Sequence, residues 1–149
     1  MNKKDIEVCM RIAWDESHYS NCLKKKVGAS MFDDQVFEVV SVGCGGPKIT
    51  CKECYRKKYE WQQDGCWSIH AEIRTMLRYF EDFGYRGWLG EMIIFTTHGP
   101  CDQCLKYMNY FGIPYVIYDI PYHNDYTKWK GKIEVLSLEE AYEFDFSSI

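Results

Sequence analysis

The chain has 149 residues, 46% hydrophobic and 27% charged, the profile of a soluble globular protein with enough length for one core; it is read as a single domain, 1–149. No apolar run approaches the ~20 residues of a membrane span, and Met1-Asn2-Lys3-Lys4-Asp5 lacks the apolar stretch of a secretory signal, so a cytoplasmic location is expected. A net charge of -4 argues against a surface that wraps nucleic acid and for a small ligand.

Ile6, Cys9, Met10, Ala13 and Trp14 recur at helical spacing and predict a first helix over 5–19. Val27 to Phe32 and Val36 to Val42 are β-rich runs, with Asp33-Asp34-Gln35 as a hairpin turn between them. Gly43 to Gly46 and Pro47 end the second strand. From there to Ser68 the chain reads as a long functional loop, with a helical turn around Tyr55 to Gln62. Ile73, Met76, Leu77 and Phe80 predict a second helix over 69–80, and Met92 to Thr96 a short strand. Gly99-Pro100 opens a helix from Cys101 to Phe111. Strands follow at Tyr115 to Tyr118 and Ile133 to Leu136. Ser137 then caps a last helix, with Glu139 and Glu140 in its first turn. An opening hairpin followed by alternating helices and strands predicts an α/β fold with a mixed sheet covered by helices.

Eight cysteines are many for such a chain. Cys51-Lys52-Glu53-Cys54 and Cys101-Asp102-Gln103-Cys104 are both C-x-x-C pairs, which in a reducing compartment point to metal or redox chemistry before disulfides. Cys9, in an apolar helical stripe, reads as a small buried hydrophobe.

Two motifs carry chemistry: His70-Ala71-Glu72 and Pro100-Cys101-Asp102-Gln103-Cys104, each at the start of a predicted helix. Cys101 and Cys104, three apart, share one helix face. Both fall in the first turn, where the positive helix end favours thiolate, the form that ligates zinc. His70 adds an imidazole nitrogen. Three protein ligands leave one tetrahedral position for water, as in a catalytic zinc site. Glu72 stands beside the ligand histidine, placed to take the water's proton and hand it on. The bland readings are a redox dithiol for an isolated C-x-x-C pair and a closed structural zinc, but the latter wants a fourth ligand and has no use for Glu72.

With these residues, H-x-E followed by P-C-x-x-C, the chain resembles the zinc-dependent cytidine/deoxycytidylate deaminase superfamily. Within it the chain is most similar to the deoxycytidylate (dCMP) deaminases, phage members included. The resemblance runs from Ser20 to about Asp125. It includes 20–29 before the first strand, the glycine-rich Gly43-Cys44-Gly45-Gly46-Pro47, Thr96-Thr97-His98-Gly99-Pro100-Cys101, 111–118, and Pro121-Tyr122. It implies a three-layer cytidine-deaminase-like fold, a mixed five-stranded sheet flanked by helices. The implied reaction is dCMP plus water giving dUMP plus ammonia, with zinc-activated water attacking C4 of the pyrimidine. Glu72 would protonate N3 and then the leaving amine, the Ala71 amide would hold the base carbonyl, and Tyr122 would pack on the ring. A tyrosine beside proline also reads as plain surface or core. Two positions depart from the family pattern: Gly45 and Arg74 stand where asparagines are usual. Arg74 reads either as a phosphate contact or as an exposed helix residue.

The resemblance also implies a second, structural zinc, with Cys51, Cys54 and Cys66 as ligands and Cys22 as a fourth; free thiols on a long loop are the other reading. Mg2+ accompanying the nucleotide, dCTP and dTTP as effectors, and a homo-oligomer, a hexamer, complete what it implies. The basic runs Lys24-Lys25-Lys26 and Arg56-Lys57-Lys58 read as solvated faces or as a phosphate site. The 17% aromatic content favours an interface or a stacking pocket. Competing functions are a deaminase of cytidine, of tRNA adenosine or of cytosine in single-stranded DNA and, from another class, a zinc-stapled nucleotide-sensing or interaction module without turnover.

Overall fold

The structure, a computed structural model, describes residues 1–47 and 68–146. Cys51, Cys54, Cys66, the run Arg56-Lys57-Lys58 and the helical turn expected at Tyr55 to Gln62 lie outside the described residues.

Among the described residues are four α-helices, one 3-10 helix and a mixed five-stranded sheet. The strands are β1 (Gly28–Asp33), β2 (Glu38–Cys44), β3 (Met92–His98), β4 (Tyr115–Ile120) and β5 (Glu134–Ser137), in the order β2-β1-β3-β4-β5. β1 is antiparallel to both neighbours, whereas β3, β4 and β5 run parallel. Parallel strands need crossovers. α3 (Asp102–Tyr110) connects β3 to β4, and the 3-10 helix Tyr126–Trp129 lies between β4 and β5.

Alternation along β3 sorts the core into two layers. Met92 and Ile94 face a cluster with Met76, Leu105, Met108 and Val116, under α2 (Ala71–Phe83) and α3. Ile93 and Phe95 face Ile6, Cys9, Met10, Ala13 and Ala141, under α1 (Lys3–Ser17) and α4 (Leu138–Glu143). Helices therefore cover both faces of the sheet, the three-layer arrangement expected.

Two ends are set by capping boxes, in which side chain and backbone satisfy each other's orphan donors. Ser137 pairs with Glu140 at α4, and Asn2 with Asp5 starts α1 earlier than apolar spacing alone suggests. The hairpin differs from expectation. Asp33 Oδ1 accepts from the amides of Gln35 and Val36, Phe37 takes φ 60, and β2 begins only at Glu38, so Val36 and Phe37 belong to the turn. An aspartate that bonds the backbone ahead of it competes with strand pairing.

Gly28 shows how tightly α1 lies on the sheet. A Cβ there would stand 2.0 Å from the Ala13 carbonyl oxygen and 2.5 Å from the Ser17 nitrogen, both backbone. Gly28→Ala is therefore expected to lower stability by about 1–3 kcal/mol, since overpacking of this kind must shift a helix. Thermal unfolding of the variant beside the wild type measures it.

Candidate active site

Two helix N-termini converge on the edge of the α2/α3 layer. His70 is the N-cap of α2 and Cys101 the N-cap of α3, both with extended backbone that turns the side chain off the helix end. Cys104 lies in the first turn of α3 and is buried. His70 Nδ1 is 3.2 Å from Cys104 Sγ and 3.4 Å from Cys101 Sγ. The donor atoms of the three residues lie within 4.8 Å of one another, close enough to hold one metal ion. Tetrahedral zinc with ordinary bond lengths needs its nitrogen and sulfur ligands about 3.6 Å apart, so one nitrogen and two sulfurs at this spacing fit zinc.

Electrostatics suit that cation. The Cys104 thiol donates toward Cys101, and with His70 it pulls the Cys101 thiol down to about 4. The same bond, with burial, pushes Cys104 up. Both thiols give up their protons when a metal binds. Glu72 occupies the first turn of α2 and is 4% exposed. Burial lifts its carboxyl above the usual carboxylate range, with His70 pulling the other way.

The family model for the cytidine and deoxycytidylate deaminase zinc-binding region matches residues 3–120. The chain belongs to this deaminase family. Among solved structures it is similar to the dCMP deaminase of the cyanophage S-TIM5 in complex with dCMP and dUMP. That likeness has 24% identity, a TM-score of 0.71, and covers 92% of this chain and 98% of that one. It is also similar to a tRNA:A34 deaminase that edits the wobble position of transfer RNA, at 16% identity and TM-score 0.60, covering 88% of this chain and 97% of that one. A third likeness is guanine deaminase from Bacillus subtilis, at 18% identity and TM-score 0.52, covering 89% and 72%. These likenesses show that the deaminase fold is shared by proteins named for different substrates. Among curated proteins none matches the chain.

The remaining sequence-predicted positions have the following surroundings. Ala71 is buried as the first residue of α2, where an amide has no partner within the helix. Gly45 borders it: a Cβ there would stand 3.7 Å from the Ala71 nitrogen. Arg74 donates through Nη2 to the Gly46 carbonyl at 2.7 Å, tying α2 to the glycine-rich segment. Tyr122 is half-buried against Gly99, with the Lys25 ammonium 5.6 Å from its ring. Cys22 is a half-buried free thiol near Gly46. Its three companions in the expected second zinc site are outside the described residues.

Sequence reasoning singled out neither Asn21 nor His98. Asn21 brings its amide beside Gly46, where a Cβ would meet Oδ1 at 2.4 Å. His98, at the end of β3, lies 5.7 Å from the Trp14 ring, with Nδ1 2.8 Å from Thr97 Oγ1. Burial and then Lys25 hold the His98 imidazolium below its ordinary range, against the pull of Asp119. A depressed histidine contributes stability that is present above its unfolded pKa of about 6.5 and is lost as pH falls through the lower folded value. Wild type is therefore expected to lose thermal stability more steeply than His98→Asn between about pH 7 and pH 5. Paired melting curves check this.

Proposed function

We propose that this chain is a hydrolytic deaminase that converts free dCMP and water to dUMP and ammonia within a single domain. The observation that carries the reading is a buried carboxylate, Glu72, two residues along the chain from His70 of a His/Cys/Cys group able to hold a metal. His70, Cys101 and Cys104 would hold zinc. When bound, zinc supplies the Lewis acid that makes water nucleophilic at neutral pH.

The chain's own groups do the rest. Glu72 takes the proton of the attacking water, delivers it to N3 of the pyrimidine, and then serves the departing amine at C4. The C4–N bond breaks, a C4–O bond forms, and the amine leaves as ammonia. The Ala71 amide, at a helix start beside side-chain-free Gly45, would hold the base carbonyl. Tyr122 offers a ring face to the base, and Lys25 above it a cation for the phosphate.

Two features favour a free nucleotide. The net charge of -4 gives little attraction for a polyanion, and the fold likeness to the S-TIM5 dCMP deaminase, TM-score 0.71, is higher than that to the tRNA:A34 deaminase, 0.60. A hexamer switched by dCTP and dTTP goes with this reading, and sedimentation with and without those nucleotides tests it. The substrate is tested by ammonia release from dCMP, deoxycytidine, dCTP and a cytosine-containing oligonucleotide. dCMP is expected to exceed deoxycytidine by about 10- to 100-fold in kcat/KM, the worth of a charged phosphate contact. Turnover of the oligonucleotide alone would overturn the assignment.

A further inference from the structure

The geometry points to Asp102 as a positioning residue: its carboxylate straps the segment between β4 and β5 onto the turn that carries Cys101, and so sets how tightly substrate is held. Asp102 is the first residue of α3, between the two cysteines of the motif. Asn124 Nδ2 donates to Oδ1 at 2.9 Å, Trp129 Nε1 donates to Oδ1 at 3.0 Å, and the Lys128 ammonium donates to Oδ2. Three donors from one six-residue stretch, 124–129, thus meet on a single side chain.

The chain from the end of β4 onward is tied to that turn at further points. Tyr126 donates its hydroxyl to the Pro100 carbonyl at 2.8 Å, and the Gly99 amide donates to the Ile120 carbonyl at 2.8 Å. At Gly99 a Cβ would meet Tyr126 Oη at 2.6 Å and Tyr122 Cβ at 2.9 Å, so the segment lies directly on the turn. Tyr126 also packs against the cluster that contains Cys104, as Cys101 does. Apart from the short 3-10 helix this segment has no regular structure to hold it, and connections of that kind move unless side chains fix them. The Lys128 contact is solvent-exposed and adds little by itself. The two bonds to Oδ1 fix the segment, and with it Tyr122.

This inference rests on the dCMP reading for its substrate, but its test does not depend on that alone. Zinc-loaded full-length wild type, Asp102→Asn and Asp102→Ala are compared for zinc content, dCMP kinetics, and backbone hydrogen exchange at 121–129. Asp102→Ala is expected to keep its zinc, exchange 121–129 faster, and raise KM about tenfold with kcat within about threefold, as misplacement of a binding wall does. Asp102→Asn, which retains an oxygen for Asn124 and Trp129, restores both readouts. Unchanged exchange in Asp102→Ala overturns the inference, as does a kcat that falls in step with lost zinc while KM stays put. Absence of dCMP turnover by the wild type would count against the substrate reading, and exchange alone would then decide the strap. Should Asp102→Ala not fold, Asn124→Ala removes one donor, and the same two readouts are expected to move in the same direction by less.

Discussion

Glu72→Gln is expected to lower kcat on dCMP by about 10²–10⁴-fold while zinc content and thermal midpoint stay at wild-type values. The size follows from the worth of a positioned proton carrier, which glutamine cannot be. The selectivity follows from place. Glu72 is buried in the first turn of α2, and glutamine has its shape and can still accept hydrogen bonds. It is not among the three residues grouped for a metal, so the ion has no reason to leave. A zinc staple without turnover has no task for this carboxylate, so the same substitution separates an enzyme from an interaction module. Steady-state kinetics, metal analysis and a melting curve on one preparation give the answer. Retained turnover would remove Glu72 from the chemistry.

Cys104→Ala is expected to abolish turnover by a different route, through loss of the metal. The thiol is 1% exposed and its sulfur is 3.2 Å from His70 Nδ1, so its removal takes away one of the three donor atoms gathered for the metal. Binding energy that a metal gives the native state is also stability, so the variant should melt lower than zinc-loaded wild type and no longer respond to added zinc. Cys9→Ala is the control. Burial pushes the Cys9 thiol up to about 12, which leaves it an inert packing group of the α1 layer. That variant is expected to lose about 1 kcal/mol and keep full activity. Metal content measured beside activity for both variants distinguishes a ligand from a core cysteine.

What the sequence reveals here is what is encoded within a turn or two of chain. The stripe of Ile6, Cys9, Met10 and Ala13 announces a helix because its period is local, and it buries that face in the structure. The pairing of Cys101 with Cys104 is legible for the same reason, since an N-cap side chain turns back toward the residue three further along the first helical turn. The α4 cap at Ser137 is a four-residue pattern. Features made by distant chain segments stay hidden. Asp102 looks like filler between two cysteines until Asn124, Lys128 and Trp129 fold back onto it. The 3-10 helix Tyr126–Trp129 is one turn, too short for any period to show. Phe37 gives no hint of its positive φ, which the Asp33 turn and its edge-on contact with Phe32 hold in place. The demand for glycine at position 28 is set by α1, which is remote in sequence.

The most direct measurement is made on zinc-loaded wild-type protein incubated with dCMP in oxygen-18-labelled water, with ammonia counted and product analysed by mass. One ammonia for each dUMP, and solvent oxygen at C4 of the base, is the predicted result. Zinc-loaded, folded protein that leaves dCMP intact, or product carrying no solvent oxygen, would contradict it.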